Sequence, residues 1–380
     1  MIKKIEILYL INKLEECGHT AYLVGGCIRD ILMQKEPKDW DIATSATPKD
    51  IKSIFKKTID TGIKHGTVSV LIKNNRYEVT TYRQDGEYSD FRRPNDIKFV
   101  CDIVSDLSRR DFTINAIAYN PKTGILDPFF GQNDINNKII RCVGNPVLRF
   151  GEDALRMLRA IRFASVLNFH IQYDVIHAIK TLSHNIKYIS LERIKDELCK
   201  IICGNNIILL ETTGILNHIM DYKGDLHKNA ELIAKAPVNI NMRMALFLKE
   251  ENAYDILKNL RFDNKSIKEI CTYISYFNIN INLCRVDIKR HLKNIPLELF
   301  FNILLLKQVK TDEYINIVND IIQKQECFTI KQLAINGNDL KELGITGKDI
   351  GNTLDYLLDI VIKEPEFNTR EKLLINCKHK

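Results

Sequence analysis

Between residues 5 and 17 the apolar positions Ile5, Leu8, Ile11 and Leu14 recur at a helical spacing, and Gly18 ends the run. The period then changes. Ala21-Tyr22-Leu23-Val24 reads as a short buried strand, Gly25-Gly26 follows it, and an apolar helical stretch runs from Cys27 to Met33. Ile42 and its apolar neighbours predict a further short strand, and Thr67 to Ile72 and Tyr77 to Tyr82 predict two more. The first part of the chain is therefore a sheet with helical excursions, and Asp127-Pro128-Phe129-Phe130-Gly131 reads as the turn that closes it. From about residue 144 helical periodicity dominates to the end. The pattern predicts a mixed α+β domain followed by a mostly α region.

Composition narrows the class. The 380 residues are 45% hydrophobic and 27% charged, the balance of a globular rather than a disordered chain. Lysine and arginine exceed aspartate and glutamate by 55 to 48, a net charge of +7 that permits a polyanionic partner without requiring one. No apolar run approaches a membrane span, and the N-terminus carries no secretory pattern. Of the ten cysteines only Cys199 and Cys203 lie close together, with no second pair to complete a zinc site. The expectation is a soluble cytoplasmic protein with reduced, mostly buried thiols and no membrane partner.

The candidate chemistry begins at Asp39-Trp40-Asp41. On a strand, residues i and i+2 share a face, so the two carboxylates would stand side by side. Divalent cations relieve that repulsion, and an all-oxygen donor set suits magnesium. Glu78 on the third strand is either a third carboxylate for the same ion or a paired surface residue. Upstream, strand, Gly25-Gly26 and helix start form a place where backbone N–H groups approach phosphate, with Arg29 in the first turn. Residues 83–96 are polar and turn-rich, the composition of a mobile functional loop or a solvated connection. Arg109-Arg110 precede what reads as an apolar helical segment.

The first helix of the α region is expected to hold Glu152 through Phe163 unbroken. Asp153 and Arg156 would then share a face at i and i+3, with Arg159 and Arg162 extending a basic stripe. An intrahelical ion pair on a solvated surface accounts for such a pattern. So does base recognition: aspartate accepts from an exocyclic amino group while arginine donates to a ring nitrogen or carbonyl. Cytosine and adenine offer that amino group and uracil does not.

These motifs together resemble the class II, bacterial and eukaryotic type of tRNA nucleotidyltransferase. They are Gly25-Gly26-x-x-Arg29-Asp30, Asp39-x-Asp41, Arg109 to Ala116, Asp127 to Gly131, Glu152-Asp153-x-x-Arg156 and Glu192-Arg193-Ile194-x-x-Glu197-Leu198, in the family's order over about the first 200 residues. The stretch near Gly337 also looks like the family's C-terminal region, whereas 206–310 matches in helical character alone. The resemblance implies a polymerase β-type nucleotidyltransferase head over 1–143, then an all-α neck (144–205), body (206–310) and tail (311–380). It implies addition of C, C and A to the 3′ end of tRNA from CTP and ATP. Asp39 and Asp41 would bind magnesium, and Gly26, Arg29 and Arg110 the nucleotide. Asp153 and Arg156 would read the base, with Arg159 and Arg162 supporting base or phosphate. The tRNA would be held at its acceptor end and T-arm side by shape and phosphate, and no obligatory protein partner is implied. Residues 83–94 match the loop that accompanies the switch from C to A addition. The alternatives are an A-adding enzyme, bacterial poly(A) polymerase and an inactive RNA-binding module. The intact carboxylates argue against the last, and a Gly-Arg-Arg-Phe element expected of poly(A) polymerase is missing.

Overall fold

The computed structural model describes residues 4–86 and 97–377, and divides them into two compact units. The first runs to Ala234 and takes in Glu250–Phe262; the second holds Lys235–Lys249 and the chain from Asp263 onward.

The first unit opens with helix α1 (Ile5–Glu16), whose buried face is Ile7, Leu10, Ile11 and Leu14. This i, i+3, i+4, i+7 set is the helical stripe that reaches the core. The expected face was rotated from it: Ile5 is 74% exposed, because position 5 lies outside the stripe that Leu10 and Leu14 define. After α1 come β1 (Ala21–Val24), α2 (Gly26–Leu32), β2 (Asp41–Thr44), α3 (Pro48–Ile54), β3 (Thr58–Gly62), β4 (Thr67–Ile72) and β5 (Asn75–Thr81). A small hairpin, β6 (Arg83–Asp85) with β7 (Ile97–Phe99), leads to α4 (Ile103–Ser108), β8 (Ala118–Asn120) and β9 (Gly124–Leu126). Residues 87–96 lie outside the described residues, so the expected loop is described only at its two ends.

Seven strands form one sheet in the order β3-β4-β5-β2-β1-β8-β9. The β2–β5 pair is parallel and the other neighbours are antiparallel, so the sheet is mixed as expected. Its register sets Asp41 directly beside Glu78, which puts both carboxyl groups on one face.

Arg109 and Arg110 follow α4, but the segment after them is not helical beyond a single 3-10 turn at Thr113–Asn115. The chain turns there because Thr113 Oγ1 donates to the buried Asp134 carboxylate (2.6 Å) and Asp111 Oδ1 accepts the Phe112 N–H (2.8 Å). Such side-chain bonds compete with helix continuation. The Asp127–Gly131 turn closes as predicted: Asp127 accepts the N–H groups of Gly131 (2.7 Å) and Gln132 (2.9 Å), which starts α5 (Gly131–Asn136).

Helices then dominate. After the short strand β10 (Ile139–Ile140) come α6 (Pro146–Glu152) and α7 (Leu155–Leu167). A two-residue strand, β11 (His170–Ile171), pairs parallel with β10 and is the one departure from the all-helical expectation in this stretch. Then follow α8 (Tyr173–Leu182) and α9 (Leu191–Ile202). Ser165 Oγ donates to the Ile201 carbonyl (3.1 Å), and Gly204 lets the chain pass against Ser165 where a Cβ would sit 2.4 Å from its hydroxyl.

The second unit is helical throughout. Cys327, Leu333, Leu340, Leu357, Leu358 and Val361 build one of its cores, and Lys289, 1% exposed, is neutralised by Glu326 at 3.0 Å. No helix among the described residues is long and apolar enough to cross a membrane. Four of the ten cysteines are buried (Cys27, Cys142, Cys199 and Cys327), fewer than expected, because Cys17, Cys101 and Cys284 lie on exposed segments.

Gly131 gives a direct check on this packing. A Cβ there would meet the Thr113 carbonyl oxygen at 2.2 Å, and backbone cannot move aside cheaply. Gly131→Ala should destabilise the protein by about 1–3 kcal/mol in a urea titration. Gly151→Ala, in α6 with open space around it, should be neutral or stabilising by up to about 1 kcal/mol.

Candidate active site

The aspartate pair sits at the start of β2. Asp41 is the first residue of the strand, whereas Asp39 lies in the bend before it and is exposed. The expectation of both on one strand is corrected: the strand begins two residues later than Asp39. The two charges remain close enough to act on each other. Burial, together with the Glu78 and Asp39 carboxylates, holds the Asp41 carboxyl above its ordinary range against the pull of Arg110. Glu78 itself is half exposed, with Arg76 at 3.7 Å, so it faces both ways left open by the sequence.

Such an oxygen-only, under-neutralised donor set fits magnesium. No group of three or more His, Cys, Asp or Glu side chains among the described residues forms a ready cage. That too is compatible with magnesium, which usually keeps waters and binds through one or two carboxylates plus substrate phosphates.

Beside Asp41 opens a cleft of about 500 Å³. Seven arginines line it (Arg29, Arg109, Arg110, Arg156, Arg159, Arg162 and Arg193) against three aspartates (Asp41, Asp111 and Asp153). All seven of the residues expected to bind nucleotide are among its lining, Gly26 included, and Asp41 joins them. Asp39 does not; it lines a separate hollow that shares Asp41.

Each arginine is held by a carboxylate. Arg29 in α2 pairs with Asp30 (2.7 Å) and donates to Asn115 Oδ1 (2.8 Å). Arg109 and Arg110 share Asp106 at 2.7 and 3.2 Å; that carboxylate is 1% exposed. Burial would raise Asp106, but the two guanidiniums outweigh it and the group is lowered. Arg159 reaches Asp111 at 2.6 Å, Arg162 reaches Glu197 at 2.9 Å, and Arg193 reaches Asp153 at 2.8 Å. Arg156 pairs with Glu152 and donates to the Arg109 carbonyl (3.2 Å).

The helix expected over 152–163 is two helices. Asp153 adopts extended backbone (φ −140°, ψ 105°) between α6 and α7, and its Oδ1 accepts the Leu155 N–H at 3.1 Å. An aspartate that bonds its own backbone two residues on favours a break over a continuous helix. Asp153 and Arg156 are therefore not an i, i+3 pair on one face. Asp153 reaches the cleft from the break itself and Arg156 from the first turn of α7, each with another partner.

Gly25, rather than Gly26, has the demanding backbone. Its φ is +77°, and a Cβ would lie 2.9 Å from Arg110 Nη1. At Gly26 a Cβ would make ordinary contact with Arg29. Asp111, Asn115, Phe163 and Arg193 also line the cleft, and no local pattern in the chain gives them a role. Phe163 places its ring 4.1 Å from the Arg162 guanidinium, 5.3 Å from that of Arg29 and 5.5 Å from that of Arg159. Asp111 and Arg193 lie within motifs that carry the family resemblance, but their partners are 48 and 40 residues away and no local spacing reveals them.

The Asp111–Arg159 pair carries a pH signature. Burial would raise Asp111, yet Arg159 and then Arg156 overcome it and bring the carboxyl down to about 2. Its folded value lies below the unfolded one of ~3.9, so the pair's contribution is complete above that value and fades as pH falls toward 2. Asp111→Asn should cost about 2–4 kcal/mol at neutral pH by chemical denaturation. The gap from wild type should narrow below about pH 4.

With this geometry in view, comparison with known proteins is specific. Residues 21–141 match the family model described as "Poly A polymerase head domain", and residues 168–222 match "Probable RNA and SrmB- binding site of polymerase A". Residues 240–376 match tRNA nucleotidyltransferase domain 2. A CCA-adding enzyme of Staphylococcus epidermidis is 38% identical over 96% of this chain and 95% of its own length. One from Ligilactobacillus salivarius is 35% identical over 98% and 95%. The crystal structure of the Bacillus stearothermophilus CCA-adding enzyme in complex with CTP superposes with a TM-score of 0.87 at 31% identity, covering 99% of this chain and 98% of that one. The chain belongs to the class II family of CCA-adding tRNA nucleotidyltransferases.

Proposed function

We propose that this protein adds C, C and A to the 3′ end of tRNA without a template, taking CMP and AMP from CTP and ATP and releasing diphosphate. The observation that carries the reading is the arginine cleft opening directly beside Asp41, with Asp153 and Arg156 in its wall. Seven guanidiniums suit a triphosphate, and their carboxylate partners hold them in place before it arrives. Arg29 and Arg110, close to the Gly25–Gly26 turn, take the phosphates. Arg159 and Arg162 support the nucleotide behind them.

Asp153 reads the base. Both of its oxygens accept from Arg193, and a lone pair remains on Oδ2 for the amino group of cytosine or adenine. Uracil would set a carbonyl oxygen against that carboxylate. Arg156 donates to the ring nitrogen or carbonyl of the same edge. Asp39 and Asp41 would hold magnesium, which when bound activates the attacking hydroxyl and stabilises the leaving diphosphate. No covalent enzyme intermediate is needed, and no cysteine or histidine is given a chemical role.

The same proposal divides the chain into head (1–143), neck (144–205), body (206–310) and tail (311–380), with the tail half holding tRNA by shape and phosphate. It places the enzyme in the cytoplasm, where its tRNA substrate is, acting without an obligatory protein partner. Poly(A) polymerase and the A-adding specialist are less well supported, since the full-length relatives at 35–38% identity are CCA-adding enzymes.

A gel assay on tRNA lacking its 3′ CCA tests this. With CTP and ATP the product should grow by three nucleotides, and with CTP alone by two. A long ladder with ATP alone, or growth of tRNA-CC only, would overturn it. Asp41→Asn should lower turnover by about 10³-fold or more while leaving tRNA binding nearly unchanged. Asp153→Ala should reduce the preference for CTP over UTP by about 10- to 100-fold in single-turnover competition.

A further inference from the structure

Among the described residues, Phe163 is the one apolar side chain that lines the arginine cleft. It belongs to α7, as Arg159 and Arg162 do, and is 7% exposed. Three guanidiniums stand over its ring: Arg162 at 4.1 Å from the centroid, Arg29 at 5.3 Å and Arg159 at 5.5 Å. All three fall within the range of about 6 Å at which an aromatic face attracts a cation. Helix spacing does not impose this gathering. Residues i and i+1 do not face each other on a helix, yet Arg162 makes the shortest approach, and Arg29 comes from α2.

The ring is itself held. Phe112, fully buried, meets it edge to face at 5.7 Å. A chain of hydrogen bonds also runs between two of its three cations. Arg29 Nη1 donates to Asn115 Oδ1 (2.8 Å), Asn115 Nδ2 donates to Asp111 Oδ1 (3.3 Å), and Arg159 Nε donates to Asp111 Oδ2 (2.7 Å). The ring therefore lies against both ends of that chain.

Carboxylates and an aromatic face do different things for these arginines. A carboxylate fixes a guanidinium but cancels charge that a triphosphate would otherwise meet. An aromatic face attracts a cation through its quadrupole and carries no net charge. Three like charges so close together repel one another, and the ring draws on all three while cancelling none. Its low exposure, with Phe112 and the guanidiniums against it, leaves little surface on which a base could stack.

We infer that Phe163 is a positioning residue for nucleotide binding: its ring holds Arg29, Arg159 and Arg162 aimed into the cleft with their charge intact. The inference rests on the nucleotide-site reading above. In that reading Asp153 and Arg156 choose the base, so Phe163 acts on CTP and ATP alike and leaves the choice between CTP and UTP alone.

The test replaces Phe163, in the full-length protein, by mono-, di- and trifluorinated phenylalanine. Fluorine withdraws electron density from the ring face and hardly changes ring shape, so a packing role gives no gradient along the series. KM would be measured for CTP on tRNA lacking its CCA and for ATP on tRNA ending in CC. Both should rise stepwise with fluorine number, by about fivefold at the trifluoro ring, while kcat and the KM for tRNA stay within about twofold. Phe163→Leu, confirmed as folded by urea titration, should raise both nucleotide KM values about tenfold, with the preference for CTP over UTP within about twofold of wild type. A flat KM along the fluorinated series overturns the inference whatever the leucine variant does. An effect confined to one nucleotide, or a loss of CTP-over-UTP preference, also overturns it. If wild type completes CCA but the series is flat, only the role of Phe163 is wrong; if wild type extends nothing, the transfer reading is wrong and this inference falls with it.

Discussion

Seven guanidinium groups around one cleft repel one another, and the first unit depends on how that repulsion is cancelled. Each arginine is assigned a carboxylate, and the most confined of these are Asp106, Asp111 and Glu197, all buried. A buried charge pair is an uncertain source of stability, because desolvation offsets much of the attraction. Its value here is positional. Removing either partner would leave the other charged and partly desolvated, so the arrangement has few alternatives.

This constraint also joins the sheet to the helices that follow it within the same unit. Asp111 stands just ahead of the 3-10 turn at Thr113–Asn115, while Arg159 comes from α7. Arg149 from α6 donates to the Val143 carbonyl at 2.8 Å, and Arg156 reaches the Arg109 carbonyl. Phe112 and Phe163 meet edge to face at 5.7 Å, which adds apolar contact to the same seam. Asp153 and Arg156, proposed to read the base, are thereby fixed relative to Arg29 and Arg110, proposed to take the phosphates. Preorganised charge of this kind costs no rearrangement when substrate arrives.

Much of this was legible in the chain, and the exceptions share a cause. The period-2 runs located β4 to the residue and β5 within two, and the glycine pair located the start of α2. Local patterns failed where a side chain bonded backbone nearby or a partner lay far off in sequence. Asp153 broke a helix that periodicity alone would have continued, because its carboxylate satisfies the Leu155 N–H. The face of α1 was misjudged because Ile5 is apolar yet ends up in solvent. The arginines of α7 were recognisable as a stripe, but nothing in their spacing named Asp111 or Glu197 as what neutralises them. Gly25 and Gly26 are indistinguishable as letters; only the positive φ and the approach of Arg110 separate them.

The central claim is that the arginine cleft is the nucleotide site and that Asp153, held by Arg193, reads the base. A crystal structure of this protein with CTP and magnesium tests it most directly. The account predicts phosphate oxygens within hydrogen-bond distance of Arg29 and Arg110, and the cytosine amino nitrogen within that distance of Asp153 with its Arg193 pair intact. A base seated away from Asp153, or a triphosphate bound in the separate hollow that Asp39 lines, would contradict it.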